Sequence, residues 1–256
     1  MAGADGLVPM QIYLTGKPAR KGVARLVAAG ARGAEVAPPV FSIERLADVD
    51  WVAESEKALT PIRAGRFYLH GAHVGAAAPP GSTDLLIEAN MAFGTGHHES
   101  TRGCLLALDA LARRRRMKRA LDMGCGSGVL AMAIARLWRG RVLAVDNDPD
   151  SLRITRANAA LNGVAAYIET RRSDGYRDRA VRRAAPYDLI VANILAEPLM
   201  AMATELRRHL ARGGTAVLSG LLKEQERPVL ARHLGQGLCL ARRIRLGEWV
   251  TLVLKG

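Results

Sequence analysis

Cysteine is scarce in this sequence: Cys104, Cys125 and Cys239 are the only three in 256 residues, far apart and without a C-x-x-C pair. That excludes a disulfide framework and a structural zinc site of the usual spacing. Aromatic residues make up 4% of the chain, and none interleaves its basic clusters. The stacking surface of a single-strand nucleic-acid binder is therefore missing. No apolar run reaches the roughly 18 residues that a spanning helix needs, because Arg, Asp or Gly interrupts each candidate. The opening MAGADGLVPMQ has neither a basic stretch nor an apolar core and does not read as a signal peptide. These absences point to the cytoplasm.

What is present is ordinary for a globular protein: 49% apolar and 24% charged residues. The net charge of +13 favours acidic partners such as RNA or a ribonucleoprotein surface. The clusters that carry it, at 113–119, 171–172, 177–183 and 242–245, are almost all Arg in a chain also rich in Ala and Gly. Solvated surface charge explains them better than a dedicated nucleic-acid face.

The chain has no internal repeats. Its first 70 residues are weakly patterned, with a strand at 10–14, a helix over 19–30 ended by Gly30, an extended stretch near 40–46 and a helix at 51–59. Residues 71–84, GAHVGAAAPPGSTD, are rich in Gly, Ala and Pro and read as a linker or loop. Beyond them strands at 119–123, 142–146, 166–170, 187–193 and 215–220 alternate with helical segments. That order predicts a doubly wound, mostly parallel α/β sheet. The last two extended segments, LCLARRIRL and EWVTLVL, have no helix between them and predict an antiparallel hairpin. The hairpin gives seven strands and sets the sheet apart from an ordinary dinucleotide-binding one.

The strongest chemical signal is D-M-G-C-G-S-G-V-L, residues 122–130, placed between a strand and a helix. Gly124, Gly126 and Gly128 let backbone approach a ligand, and backbone N–H groups at a helix start are expected to face it. A dinucleotide fingerprint is G-x-G-x-x-G. Here the third glycine comes one residue early and an acid precedes the turn. That pattern suits S-adenosylmethionine, whose amino-acid tail carries an ammonium instead of a pyrophosphate. Asp146 ends the next strand, 20 residues after Gly126, where a carboxylate can accept bonds from both ribose hydroxyls. Asp148 and Asp150 fall in the following helix's first turn, where capping explains them. Asp174 reads equally as a contact at the adenine edge and as a turn residue before Gly175.

Asn193 ends the fourth strand in N-I-L-A-E-P-L, where open α/β sheets bind ligands. Its carboxamide oxygen can orient a substrate amine, or its side chain can cap the helix that follows. Residues 91–102, M-A-F-G-T-G-H-H-E-S-T-R, read as a loop that closes over a ligand. The adjacent His97 and His98 point in different directions on any regular element, which argues against a metal site. Thr101 either offers its hydroxyl to the cofactor or caps the helix behind it.

The three strings 91–102, 122–130 and 193–199, with the terminal G-E-W-V, resemble the PrmA family, methyltransferases of large-subunit ribosomal protein eleven. The resemblance covers roughly residues 50–256. It implies a class I, Rossmann-like fold and transfer of methyl from S-adenosylmethionine to lysine ε-amines, with an N-terminal α-amine as a further target. Carried over by position, it implies cofactor contacts at Thr101, Gly124, Gly126, Asp146 and Asn193, with Asn193 also orienting the amine. The expected partner is that ribosomal protein, free or on the ribosome, with ribosomal RNA nearby, no membrane, no metal and a monomeric enzyme. Members begin with a complete small α/β domain, and too few residues precede Trp51 to form one. The chain thus divides into a truncated recognition segment at 1–50, a linker helix and loop at 51–83, and a methyltransferase domain at 84–256. The rival reading is an RNA methyltransferase or one that acts on another protein. Against RNA stand N-I-L-A in place of N-P-P-Y/F and the lack of a candidate catalytic cysteine.

Overall fold

The computed structural model describes residues 19–43, 61–71, 74, 78–87 and 98–256. The strand read at 10–14, the helix at 51–59 and the first part of the loop read at 91–102 lie outside the described residues; from His98 onward that stretch is helix, not loop. By its contacts the chain divides into two compact units, Met1–Val49 and Asp50–Gly256. In the first, α1 spans Arg20–Gly33. It runs through Gly30, because one glycine costs a helix interior only about 1 kcal/mol.

The second unit is built on a seven-stranded sheet. Its strands are β4 (Arg119–Met123), β5 (Arg141–Asp146), β6 (Ile168–Arg172), β7 (Tyr187–Asn193), β8 (Leu210–Leu222), β9 (Cys239–Leu246) and β10 (Trp249–Lys255), in the spatial order β6-β5-β4-β7-β8-β10-β9. β4 pairs in parallel with β5 and β7, while β10 runs antiparallel to both β8 and β9. The expected terminal hairpin is therefore present and lies at one edge. Chain order reverses at β4, which puts the carboxyl ends of β4, β5 and β7 side by side, the crevice where such sheets bind ligands.

The central strands feed two cores by their period-two alternation. Leu189 and Val191 of β7 join one, with residues of α2 (His98–Ala112), α3 (Val129–Trp138) and α4 (Pro149–Leu161). Ile190 and Ala192 join the other, beneath α5 (Arg179–Ala184), α6 (Ala196–Ala201), α7 (Ala203–His209) and α8 (Glu226–Leu234). The central strands β4, β5 and β7 are mostly apolar, as burial on both faces requires, while the edge strands β6 and β9 are largely exposed. Glu226 on α8 is 3% exposed and is held by Arg243 and Arg245 of the edge strand β9, at 2.7 Å from the latter.

The sequence reading missed a second sheet. β1 (Ile62–Ala64), β2 (Phe67–Gly71) and β3 (Thr83–Ile87) form a three-stranded layer, antiparallel then parallel. Phe67, Leu69, Leu85 and Ile87 enter the first core. Two features lock this layer on. Asn162, at the end of α4, accepts the Leu86 N–H at 2.9 Å and donates to the Leu86 carbonyl at 2.7 Å, as a strand neighbour would. Arg66 pairs with the buried Asp109 of α2.

Candidate functional site

The turn between β4 and α3 is held by its own donors. Gly124 and Cys125 donate N–H to the Val145 carbonyl at 2.8 and 3.0 Å, Gly126 to Asp146 Oδ2 at 3.0 Å, and Gly128 to the Cys125 carbonyl at 2.8 Å. This corrects the expectation that the turn's N–H groups face a ligand: at these four positions they are spent within the fold. A turn so occupied suits a ligand that arrives with donors of its own, such as an ammonium, better than a phosphate that needs N–H groups.

Gly124 (φ +71°) and Gly126 (φ +53°) both lie in the left-handed region, but their surroundings differ. A Cβ on Gly124 would run into the Ile194 side chain, whereas one on Gly126 meets nothing within 4 Å. The outer surface of the turn at Gly126 is thus open, which fits a ligand lying across it.

Asp146 fixes the turn from the next strand. Its Oδ2 takes the Gly126 N–H and its Oδ1 takes the Asp148 N–H at 3.1 Å. A carboxylate has about four acceptor sites, so both oxygens keep capacity for hydroxyl donors. Asp148 caps α4, accepting from the N–H groups of Asp150 and Ser151 at 3.0 and 3.1 Å; these bonds hold its carboxyl below the usual range. Asp150 pairs with Arg153. The acids beside Asp146 therefore have the helix-start roles expected of them. Asp174 is exposed and bound to Arg177 at 2.6 Å in a turn closed by Gly175. Of its two readings, this geometry is that of the turn residue.

At the end of β7, Asn193 donates from Nδ2 to Thr101 Oγ1 at 3.3 Å, across 92 residues of sequence. Helix α6 starts at Ala196 with Leu195 at its N-cap, so Asn193 is not the cap. Thr101 lies inside α2, which begins at His98, and is 8% exposed; it is not a cap either. The bond ties the Asn193 carboxamide to α2 through Nδ2. Backbone positions the segment: a Cβ on Gly220 would strike the Ile194 carbonyl, and the Ile194 N–H bonds the Ser219 carbonyl at 3.2 Å.

Sequence reasoning missed the role of Asp122 beyond noting an acid before the glycines. It is 1% exposed; its Oδ2 accepts the Ala131 N–H at 2.8 Å, and its Oδ1 has no partner among the described residues. Burial, then the nearby Asp146 charge, push its pKa up to about 7, against the pull of the Ala131 bond. A buried carboxyl with one idle oxygen is an unmet acceptor that calls for an explanation. The two buried cysteines are poor nucleophiles: burial raises the Cys104 thiol to about 12 and the Cys125 thiol higher still.

Thr101, Asn193, Gly124, Gly126 and Asp146 thus come together along the carboxyl ends of β4, β5 and β7, with α2 alongside. His97 lies outside the described residues.

Residues 8–256 match the family model described as ribosomal protein L11 methyltransferase (PrmA). The chain is 48% identical over 212 residues to a ribosomal protein L11 methyltransferase of Mesorhizobium japonicum, covering 83% of this chain and 73% of that one. To its counterpart in Allorhizobium ampelinum it is 46% identical, over 85% and 76%. Among solved structures, a ribosomal protein L11 methylase of Lactobacillus delbrueckii superposes with a TM-score of 0.69 at 26% identity, covering 77% of this chain and 98% of that one. A precorrin-6y C5,15-methyltransferase of Geobacter metallireducens shares the fold, with a TM-score of 0.52 at 14% identity, over 65% and 91%.

Proposed function

Since the chain belongs to the ribosomal protein L11 methyltransferase family, we propose that the crevice lined by Thr101, Gly124, Gly126, Asp146 and Asn193 is where lysine ε-amines of that protein, and its N-terminal α-amine, are methylated. The enzyme is a class I protein methyltransferase that uses S-adenosylmethionine. Bound in the crevice, this cofactor supplies a methyl group already activated by a sulfonium. No protein nucleophile is then needed, and neither Cys104 nor Cys125, the two buried cysteines, is suited to be one.

The chain's residues bind, aim and exclude. Asp146 accepts the ribose hydroxyls with the capacity its two backbone bonds leave. Gly126 presents bare backbone, and Asp122 Oδ1 meets the positive amino-acid end. Asn193, tied through Nδ2 to Thr101, turns Oδ1 toward the incoming amine, accepts one of its N–H groups and so directs the lone pair at the methyl. Only on the order of one free lysine in a thousand is neutral at pH 7. The crevice must therefore favour that neutral form by desolvating the amine.

The observation that carries this reading is the Asn193–Thr101 bond beside the Asp146-braced turn. Among the described residues no helix is long and apolar enough to cross a membrane. Cytoplasmic placement, a monomeric state and a contact with ribosomal RNA belong to the proposal. The exposed Arg242 beside Arg243 and Arg245 on the edge strand β9 supports the last. A recognition role for residues 1–50 is likewise proposed; the linker expected at 51–83 is instead partly the β1–β3 sheet, which packs with the catalytic domain.

The test is incubation of labelled cofactor with ribosomal protein L11 and, separately, with ribosomal RNA. Label is expected in the protein at lysine, and label in RNA alone would overturn the assignment.

A further inference from the structure

Leu195 breaks two rules at once. It is 67% exposed, more than any other large apolar side chain among the described residues of the second unit; the next are Leu161 at 51% and Leu234 at 43%, both at helix C-terminal ends. It also occupies the N-cap of α6, where its side chain makes no capping bond. Asn, Asp, Ser or Thr there would satisfy an orphan backbone donor that Leu cannot. A position where both burial and capping argue against the residue present is a place to look for function.

Its location gives the function a direction. Leu195 is two residues beyond Asn193, so their Cα atoms are at most about 7 Å apart. The stretch between them is fixed: Gly124 and Gly220 crowd the Ile194 side chain and carbonyl, and the Ile194 N–H is bonded to β8. Asn193 and Leu195 are thus presented as a rigid pair, a polar end beside an apolar one. A lysine has the same order, a nitrogen at the tip of a four-carbon stem.

We propose that Leu195 is a specificity-determining residue whose side chain packs against the methylene stem of the substrate lysine while Asn193 holds its nitrogen. This rests on the assignment of Asn193 to the amine. It explains why an apolar side chain stands in water at a cap: the contact forms only with substrate.

The test compares Leu195→Ala, Leu195→Asn and Asn193→Ala, using ribosomal protein L11 as substrate and calorimetry for the cofactor. Leu195→Asn supplies a good cap and is expected to melt at a higher temperature than the parent, which removes misfolding as an explanation. Both Leu195 variants are expected to raise KM for the protein roughly five- to twentyfold, the scale of a few methylenes leaving a partly wet contact. The kcat and the cofactor Kd should stay within about twofold, as expected when uniform binding is lost. Unchanged KM alongside an inactive Asn193→Ala overturns the role of Leu195 alone. A fall in kcat at constant KM overturns it too, because Leu195 would then act through Asn193. Full activity in Asn193→Ala overturns the amine site itself, and the placement of Leu195 with it.

Discussion

Replacing Asp122 by asparagine should make the ligand-free protein more stable and its hold on the cofactor weaker. In the folded chain burial raises this carboxyl from 3.8 to about 7. A raised carboxyl pKa means that the native state binds the proton more tightly than the unfolded state. The group's contribution therefore falls as pH rises from about 4 to about 7, and above 7 the folded protein carries the full penalty. About three pKa units at 1.36 kcal/mol each put that penalty on the order of 4 kcal/mol. Asparagine keeps an oxygen for the Ala131 N–H and removes the charge. Its idle amide replaces the idle oxygen, and at low pH the protonated acid has the same idle group, so that cost cancels.

Urea unfolding of both proteins at pH 8 and pH 5 reads the effect directly. The variant should be more stable by a few kcal/mol at pH 8, and its advantage should shrink by about 3 kcal/mol at pH 5. Calorimetric titration with S-adenosylmethionine at pH 8 should show the opposite sign. Affinity should drop roughly ten- to a hundredfold, because a charge-assisted bond of about 1.5–3 kcal/mol is lost. An equal stability difference at both pH values would refute the buried-charge argument. Unchanged cofactor affinity would refute the role given to Oδ1.

Asp146→Ala should weaken cofactor binding by roughly 2–3 kcal/mol through loss of the ribose bonds. It also removes the acceptor of the Gly126 N–H, so hydrogen exchange at Gly126 should rise even without cofactor; unchanged calorimetric affinity in a folded variant would discard the assignment. Gly126→Ala should still fold, losing about 1–2 kcal/mol to its left-handed backbone, since its Cβ meets nothing within 4 Å. The same methyl should sharply reduce cofactor binding, and retained binding by fluorescence or calorimetry would show that the ligand does not cross the turn there.

Much of this arrangement was legible in the sequence, for identifiable reasons. The buried parallel strands, the glycine turn and the acid 20 residues beyond Gly126 are local signals with strict spacing, and the hairpin followed from a missing helix. The small β1–β3 sheet was not legible. Its strands are three to five residues long, and the Gly- and Pro-rich stretch between β2 and β3 outweighs the short alternation of Phe67, Leu69 and Gly71. The helix that reads as ending at Gly30 runs on to Gly33. Single-residue roles depended on partners that sequence distance hides. Asn193 and Thr101 each had a capping alternative, removed by where α6 and α2 begin and by the bond between the two side chains. Asp174 is bound to Arg177, three residues away, which is the geometry of the turn reading. The turn's N–H groups read as ligand donors until the Val145 carbonyl and the Asp146 carboxylate account for them.

The central claim is that Asn193 aims a lysine amine of ribosomal protein L11 at the methyl group held over the glycine turn. The direct measurement is single-turnover methyl transfer from pre-bound labelled S-adenosylmethionine to that protein, for the parent chain and Asn193→Ala, with the modified residue read by mass spectrometry. Lysine methylation by the parent is expected, with a rate constant lower by roughly a hundredfold or more in the variant, on the scale of lost orientation. Equal rate constants at equal cofactor occupancy would contradict it.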